Sequence, residues 1–439
     1  MSASRIITKA ETVSNGFAVT TGYRKFILGL LFLVGLFNYG DRFMLAVLLP
    51  DIKTDLDLTD TQIGFITGVG FTVFYAVCGI PIARLADRGS RRVIISSVVA
   101  IWSVMTAICG LAQSFAQLAV ARILVGVGEA GATPSSQSLI ADYYPKERRA
   151  SSLAVYALSS PVGILLGFLL GGLIAGSFGW RVALFAFGLP GLALALVILL
   201  SLRDPPRGFA DEKTFLSETA QSPPLKSFWS TWKSLFARKS FFHACMAGGV
   251  FSFMFLAFAQ WAPSFLTRSH GMKMAEIGVW LAFIIGISQI LAIYSGGVIS
   301  DRLIRRDMRL PLWMSGIAIL VSGPLFFLVY VLDSVGIVLT ILFPALFFVS
   351  LQGATLYALV QNVASREDRS LAAAILVLFF NLVGGLGPQV VGIVSDMLMP
   401  TYAEDSLRYA LLSATIVAVI WSAIHFFMAA QTVRADVTA

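Results

Sequence analysis

Two pairs of charged residues interrupt apolar segments that are long enough to cross a membrane. Asp41 and Arg42 are adjacent in FNYGDRFMLAV (37–47), and Arg122 and Glu129 lie seven residues apart in a later segment. A charged side chain at the centre of a bilayer costs about 2.5–3.5 kcal/mol on insertion scales. Left unpaired, the four would together cost as much as the net stability of a typical domain. We therefore expect them to pair, to face a wet cavity, or both.

The positions of these groups along their helices favour pairing between the two segments. Arg122 and Glu129 are two turns apart on one helix face, about 10 Å along the axis. Asp41 lies about 13 Å below the end of its segment near Pro50, and Arg122 about 10 Å below the start of its own near residue 115. Asp41 and Arg122 are thus predicted at similar depth, with Glu129 nearer the middle of the membrane.

Carboxylates that pair with arginines in a cavity can take up and release protons. Removal from water favours the neutral form of a carboxylate, and a nearby arginine favours the charged form. A helix movement that changes the burial of the carboxylate or its distance from the arginine therefore makes the carboxylate take up or release a proton. We predict Asp41 and Glu129 as the titrating pair and Arg122 as a partner able to hold a carboxylate or an anionic headgroup. Arg42 either takes part or simply neutralises Glu129. The alternative is a static set of ion pairs that holds two helices together.

The composition of the chain is that of a membrane protein. Of its 439 residues, 57% are hydrophobic and 13% are charged, whereas a soluble domain has about 25% charged residues. A membrane-spanning helix needs about 20 apolar residues, and the chain contains twelve such stretches. They are residues 25–49, 61–85, 92–112, 115–140, 150–176, 180–202, 241–267, 275–299, 310–330, 335–361, 370–398 and 406–429.

The basic residues predict the orientation. Most of the 32 lysines and arginines fall on one face when both termini are placed in the cytoplasm, as the positive-inside rule requires. We therefore predict a multi-pass plasma-membrane protein with cytoplasmic N and C termini. The sequence contains no Asn-x-Ser/Thr sequon, which favours a bacterial source and hence the inner membrane of a bacterium. The predicted divisions are a tail (1–23), a six-helix bundle (24–202), a cytoplasmic linker (203–240), a second six-helix bundle (241–430) and a second tail (431–439).

The linker carries a helical pattern of its own. In LKSFWSTWKSLF (225–236) apolar and aromatic residues recur at helical spacing, beside Lys226 and Lys233. This pattern predicts an amphipathic helix on the cytoplasmic membrane surface. The alternative is an irregular linker.

Charged motifs repeat at a constant distance along the chain. A six-span unit, a linker and six further spans with the same charged motif indicate a duplicated unit, one of the architectures known for transporters. The predicted fold is an all-α integral membrane protein with twelve transmembrane helices in two pseudo-symmetric halves. The repeated residues are Asp87, Arg88 and Arg91 after the second stretch, and Asp301, Arg302 and Arg305 after the eighth.

These segments resemble the signatures of the major facilitator superfamily. ARLADRGSRR (83–92) is similar to its loop signature, and GGVISDRLIRR (296–306) to the weaker copy of that loop. ARILVGVGEAG (121–131) resembles its fourth-helix signature, and SSPVGILLGFLLGG (159–172) its Gly/Pro-rich fifth helix. The resemblance implies that the first and fourth helices line a central cavity whose access alternates between the two faces.

A narrower resemblance is to the Spinster family of lysolipid and sphingolipid transporters. It is carried by NYGDRFMLAVLLPDI (38–52), ADR (86–88), IWSVMT (101–106) and RILVGVGEA (122–130). It implies a proton-coupled secondary active transporter of an amphipathic, lysolipid- or sphingolipid-like molecule. Two alternatives stay open: a proton symporter for small organic anions such as sugar acids or carboxylates, and a membrane receptor or sensor on the transporter fold.

Other classes of function lack their residues in this sequence. There is no His-Glu-x-x-His pair, no P-loop and no Ser/His/Asp set within the spans, so we expect neither an enzyme nor a cofactor. His243, His270 and His425 are far apart in sequence, and we expect no metal site. The expected partners are the lipid bilayer, an amphipathic or anionic substrate and protons, with no nucleic acid, and we expect a monomer.

The superfamily resemblance assigns the repeated loops to a gate on the cytoplasmic face. Asp87 would meet the positive end of the eleventh helix, a contact of about 1–2 kcal/mol, and the second motif would form a weaker mirror contact. The alternative is that both motifs only supply positive-inside charge. We predict a substrate cavity with a charged wall from the first half and an aromatic wall from the second. The predicted lining residues are Asn38, Tyr39, Arg122, Gln260, Trp261, Gln352 and Asn381.

Overall fold

The described part of the chain is almost entirely helical. A computed structural model describes residues 10–14, 17–206, 209–211, 228–365 and 368–438. Strands β1 (Ala10–Ser14) and β2 (Phe17–Thr20) form an antiparallel hairpin before the first helix. Eleven of the described segments are long and apolar enough to cross a membrane, and the last, Leu371–Val437, contains two helices. The described chain therefore has the twelve spans that the sequence predicts.

The first six spans include three single helices and three that break into two. The break in the second span falls at Gly68, which leaves helical geometry (φ −109°, ψ −106°). Span 1 is Thr21–Leu56, span 2 Asp60–Thr67 with Val69–Arg88, span 3 Arg91–Cys109, span 4 Phe115–Glu129 with Ala132–Tyr143, span 5 Lys146–Ala157 with Ser159–Phe178, and span 6 Trp180–Ser201.

The last six spans follow a short linker helix, Phe228–Ala237. Span 10 breaks as span 4 does, and the two hold the same place in their halves, which agrees with a duplicated unit. Span 7 is Lys239–His270, span 8 Met274–Ile304, span 9 Leu310–Val331, span 10 Val335–Ser350 with Gly353–Val363, span 11 Arg369–Tyr402 and span 12 Ser406–Thr438.

Two faces of the molecule can be named from its contacts. Span 1 begins where span 6 ends, and there the Tyr23 hydroxyl donates to the Ser201 carbonyl oxygen at 2.8 Å. We name this the linker face, and the opposite one, where spans 1 and 2 join, the distal face. The positive-inside pattern predicts that the linker face is cytoplasmic.

The corner between spans 1 and 2 is short and well capped. Span 1 ends at Asp57 in the left-handed conformation (φ 49°). Thr59 then caps span 2, because its hydroxyl accepts from the Gln62 amide at 3.2 Å while the Gln62 side chain accepts from the Thr59 amide at 3.0 Å. This reciprocal cap fixes the first turn of span 2 on the distal face.

Glycines of span 5 bring helix backbones into contact on two sides. A Cβ at Gly167 would lie 2.5 Å from the carbonyl oxygen of Gly40 in span 1. A Cβ at Gly172 would lie 2.8 Å from the Cα of Gly278 in span 8, which belongs to the other half. The small-residue face of span 5 thus packs both within the first half and between the halves.

The linker helix lies against the second half. Trp229 is 67% exposed, whereas the rings of Trp232 and Phe236 stack at 4.5 Å and Phe236 also contacts Phe379 of span 11. The predicted amphipathic segment therefore is a helix over Phe228–Ala237, with one aromatic face packed on protein. Its first residues, Leu225 to Ser227, lie outside the described part of the chain.

Candidate functional site

Two buried ion pairs connect span 1 to span 4. Arg122 Nη1 donates to Asp41 Oδ2 at 3.2 Å, and Arg42 Nε donates to Glu129 Oε2 at 2.6 Å. Asp41, Arg122 and Glu129 are each at most 3% exposed. The four charges sum to zero, and pairing offsets the cost of removing them from water. The structure thus joins all four residues that the sequence singled out. Asp41 pairs with Arg122, which was predicted at similar depth, and Arg42 pairs with Glu129, the carboxylate that it was expected to neutralise if it took no further part.

Three aromatic rings surround the guanidinium group of Arg42. Its Cζ lies 4.7 Å from the ring centroids of Phe71 and Tyr75 and 5.7 Å from that of Tyr39. Arg122 also lies over Phe71, at 5.3 Å. Such cation–π contacts hold an arginine without using its N–H donors. Phe71 and Tyr75 are not among the residues predicted from the sequence, although their separation by one helical turn places them on one face of span 2.

Neither ion pair uses all of its hydrogen-bonding capacity. Among the described residues, no hydrogen-bond partner is found for Arg42 Nη2, Arg122 Nε or Glu129 Oε1, all of which are buried. Buried polar groups are normally satisfied, and exceptions concentrate where a protein binds or moves something. The free donors therefore allow either arginine to take a second anionic partner.

A cavity of about 270 Å³ adjoins the ion pairs, between the two halves. Arg42 and Arg122 line it, whereas Asp41 and Glu129 are not among its lining residues, so the cavity contacts only the positive member of each pair. Its first-half wall otherwise mixes polar and apolar side chains, and its second-half wall combines apolar, hydroxyl and amide groups. The wall residues are Tyr39, Phe43, Thr67, Phe71, Thr72, Ser160 and Ile164 from the first half, and Ser252, Phe255, Leu256, Gln260, Gln289, Tyr357, Val377, Phe380 and Asn381 from the second.

A larger cavity of about 880 Å³ continues from the first one. The two share Tyr357, Val377 and Asn381 in their linings. The larger one also contacts Gln137 and Gln361, which lie in the second helices of spans 4 and 10, and both helices end at the linker face. The ion-pair site therefore communicates with the linker face, and we name the larger cavity the vestibule.

The structure divides the predicted cavity residues into two groups. Trp261 Nε1 donates to the Pro388 carbonyl oxygen at 2.9 Å, so its buried indole fixes span 7 against span 11. Asn38 and Gln352 are also buried and lie outside the cavity lining. None of these three residues lines the cavity in this conformation. The predicted residues that do line the cavity are Tyr39, Arg122, Gln260 and Asn381.

Arg91, predicted in the gate on the linker face, is a brace within the first half. It is 1% exposed, and it forms an ion pair with Asp142 of span 4. It also donates from Nε to Asp204 Oδ1 at 2.9 Å and from Nη2 to the Pro205 carbonyl oxygen at 2.8 Å. All of these partners belong to the first half or to the chain that leaves it, so Arg91 does not bridge the halves in this conformation.

Of the other predicted gate residues, the structure describes the side chains of only three. The side chains of Asp87 and Arg88 lie outside the described residues. Asp301, Arg302 and Arg305 are exposed at the end of span 8, and in the described chain no ion pair joins them to the first half. Nearby, Arg309 donates to Asp307 at 3.0 Å and holds the pKa of that carboxyl below its ordinary value.

The histidines are not all as separate as their sequence positions indicate. His243 of span 7 and His425 of span 12 contact each other, with 2.8 Å between their Nδ1 atoms. Within the described residues no three His, Cys, Asp or Glu side chains form a group that could hold a metal ion.

Comparison with known sequences identifies relatives along most of the chain. The profile of the Major Facilitator Superfamily matches residues 31–388. The chain is 35% identical to an MFS-type efflux pump of Mycolicibacterium smegmatis, with 93% of each protein covered. It is 30% identical to protein spinster homolog 1 of Xenopus laevis, over 90% of this chain and 78% of that protein. It is 26% identical to the hexuronate transporter of Bacillus subtilis, over 83% and 86% respectively.

Solved structures show the same architecture. A bacterial homologue of the human lysosomal transporter Spinster, in an inward-facing and unoccupied conformation, superposes with a TM-score of 0.86 at 27% identity, covering 95% of this chain and 99% of that one. A structure of a bacterial homologue of this transporter in an inward-facing and occupied conformation superposes with a TM-score of 0.82. The extension of the vestibule toward the linker face agrees with the inward-facing conformation of these structures.

Proposed function

Because the chain belongs to the major facilitator superfamily, whose members are multi-pass membrane transporters and not enzymes, we propose that it is a proton-coupled secondary active transporter of an amphipathic, lysolipid- or sphingolipid-like molecule. The observation that carries the proposal is the pair of arginine–carboxylate contacts in which only the arginines reach the cavity. The substrate class is the one implied by the Spinster resemblance, and relatives named spinster support that resemblance. The linker face and both termini would be cytoplasmic, in the inner membrane of a bacterium, and the transporter would act as a monomer.

Substrate binding and protonation are linked through Arg122. An anionic headgroup in the cavity meets the guanidinium of Arg122, which has a free Nε donor. Once the substrate shares that positive charge, the buried carboxylate of Asp41 loses the group that stabilises its charged form, and it takes up a proton. The anion and the proton therefore occupy the site together.

Arg42 and Glu129 give the same chemistry a second step. Glu129 is fully buried and Arg42 is 17% exposed in its side chain, so the arginine is the member that solvent or substrate can reach. Movement of Arg42 toward a ligand leaves Glu129 in an apolar setting that favours its neutral form. Because both arginines contact Phe71, displacement of one changes the surroundings of the other.

The shape of the cavities suits a molecule with one charged and one apolar end. The inner cavity holds both positive side chains on one wall and Phe255 and Phe380 on the other. The vestibule adds about 880 Å³ of mostly apolar space toward the linker face. A headgroup at Arg122 thus leaves room for an acyl chain among aromatic and aliphatic side chains.

A second candidate is proton symport of a small organic anion. It is favoured by the two positive side chains in the inner cavity, and one relative is named a hexuronate transporter. Such a substrate would use the arginines and the amides of Gln260 and Asn381 without the vestibule. A receptor or sensor role would need ligand binding without net transport.

The test is uptake into proteoliposomes with and without an imposed pH gradient. A lysophospholipid and a hexuronate are compared as substrates, in the wild type and in Asp41→Asn and Glu129→Gln. We expect gradient-driven uptake of the lysophospholipid, its loss in both variants, and retained exchange in the absence of a gradient. Asp55→Asn, which alters an exposed ion pair with Arg181 on the distal face, is the control. Full proton-driven uptake in both carboxylate variants would refute the proposal.

A further inference from the structure

One buried carboxylate joins the two halves on the distal face. Asp60, the first residue of span 2, is fully buried. Arg268 of span 7 donates to it twice, from Nη1 to Oδ2 at 2.7 Å and from Nη2 to Oδ1 at 2.5 Å. This bidentate geometry is the strongest that arginine and a carboxylate form. The contact crosses from the first half to the second.

Two further donors complete the coordination of Asp60. Lys53 Nζ, near the end of span 1, donates to Oδ1 at 2.5 Å, and Ser395 Oγ, in span 11, donates to Oδ2 at 2.6 Å. The carboxylate is therefore held by spans 1, 7 and 11 together. Lys53 and Arg268 are not among the site residues that the sequence predicts.

A second carboxylate makes the reciprocal contact. Asp396 of span 11 accepts hydrogen bonds from the backbone amides of Asp60 at 3.0 Å and Thr61 at 2.7 Å. These amides belong to the first turn of span 2, where a helix has no internal acceptors for its N–H groups and favours negative charge. With Lys53 and Arg268, the cluster contains two positive and two negative groups. We name Lys53, Asp60, Arg268 and Asp396 the distal cluster.

Below the distal cluster, the contact between the halves continues toward the middle of the membrane through the backbones of spans 2 and 11. A Cβ at Gly64 would lie 2.6 Å from the Pro388 carbonyl oxygen, and one at Gly68 would lie 2.5 Å from the Gly385 carbonyl oxygen. Spans 2 and 11 are thus in direct backbone contact for two turns below Asp60. The glycines allow the approach, while the charged cluster supplies the attraction that holds it.

We propose that the distal cluster is the gate that closes the substrate cavity to the distal face. The cavity lies between the halves and communicates with the linker face, so access from the other side requires spans 2 and 11 to separate. Separation breaks the Asp60–Arg268 contact and removes Asp396 from the start of span 2. The cluster thereby sets how much of the protein is closed distally when no substrate is bound. The proposal depends on alternating access and not on proton coupling or on the substrate.

Two other ion pairs on the same face provide matched controls. Asp55 and Arg181 pair within the first half, and Asp333 and Arg408 pair at 3.2 Å within the second. The carboxylates of both pairs are exposed, with side-chain exposures of 45% for Asp55 and 89% for Asp333, whereas Asp60 is fully buried. Neither pair is broken when the halves separate, so neither should affect the gate.

The experiment measures distances across the distal face by pulsed electron paramagnetic resonance. Spin labels are placed at Thr54 and Glu404, exposed residues of the first and second half, in full-length protein in nanodiscs without substrate. We expect one short distance in the parent protein. Asp60→Asn and Arg268→Gln should each add a longer distance and raise the distally open population at least about tenfold, because each leaves a buried charge unpaired.

Graded and control variants keep the result interpretable. Arg268→Lys retains the charge but loses the bidentate geometry, so it should open the distal face less than Arg268→Gln does. If the other variants are unstable, the distance measurement is made on Arg268→Lys instead. Asp55→Asn should leave the distances unchanged. Folded Asp60→Asn, Arg268→Gln and Asp396→Asn proteins with the distance distribution of the parent would overturn the proposal. Because no flux or pH gradient is measured, that outcome would leave the proposed proton coupling unaffected.

Discussion

Arg42 and Arg122 share one aromatic ring. Their guanidinium groups lie 4.7 and 5.3 Å from the ring centroid of Phe71, while each forms an ion pair with a different carboxylate. Two positive groups at one ring repel each other, and the carboxylates of Glu129 and Asp41 offset that repulsion. Neutralising one carboxylate therefore weakens the placement of both arginines, which gives the two ion pairs a physical means of acting together.

Replacing Phe71 by leucine should impair transport more than stability. The substitution removes both cation–π contacts, each worth about 0.5–2 kcal/mol, while it keeps most of the apolar volume. We expect kcat/KM for substrate uptake to fall about tenfold, a change that corresponds to about 1.4 kcal/mol. Initial uptake rates over a range of substrate concentrations measure the effect.

Phe65 provides the matched control for that variant. It lies in the same span and contacts Phe115, with ring centroids 6.1 Å apart, and neither arginine lies over it. Phe65→Leu should leave kcat/KM near the wild-type value. Equal losses in the two variants would show that general packing of span 2, and not the shared ring, explains the effect.

The Asp41–Arg122 pair should show strong coupling in a double-mutant cycle. Arg122→Gln leaves the buried carboxylate of Asp41 without its arginine, which costs about 3–5 kcal/mol when a buried pair is broken. Asp41→Asn with Arg122→Gln replaces both charges and should recover most of the lost melting temperature. Thermal unfolding in detergent measures all four proteins. A double variant as unstable as Arg122→Gln alone would contradict the expected coupling.

Binding of an anionic substrate should strengthen as the pH falls. In the proposed mechanism the anion displaces Arg122 from Asp41, so the complex binds one more proton than the free protein. By linkage, affinity then rises by up to about tenfold per pH unit of acidification. Titration calorimetry with a lysophospholipid between pH 5 and pH 8 measures the slope, and Asp41→Asn should flatten it. The opposite slope would indicate competition between proton and substrate, as in a proton-driven exporter.

The sequence predicts the spans and the depth of the charged groups but not how each helix is rotated. Apolar runs predict all twelve spans, and the position of Asp41 and Arg122 along their helices predicts their contact. Phe255 and Trp261 lie in the same apolar helix, yet one lines the cavity and the other is buried against span 11. Hydropathy cannot separate them, because lipid, cavity and helix packing all accept aromatic side chains.

Contacts between the halves are harder still to predict from the sequence. Asp60 and Arg268 are far apart along the chain, and their contact exists because the distal face is closed in this conformation. On the linker face the superfamily resemblance predicts contacts between the halves through the repeated motif, and the described side chains of that motif form no ion pair between the halves in this conformation. Motif spacing identifies such residues, but the conformational state decides which of them meet.

Arg91 should affect stability and not gating, although it belongs to the motif that predicts the gate. Its guanidinium is buried between Asp142 and Asp204, so Arg91→Ala leaves two carboxylates without their shared cation. We expect a loss of about 3 kcal/mol in the free energy of unfolding, which lowers the melting temperature in detergent. Arg92→Ala, at the neighbouring and less buried position, is the control and should unfold near the wild-type temperature. Folded Arg91→Ala protein with a wild-type melting temperature and a larger spin-label distance between the halves on the linker face would instead support the gating role.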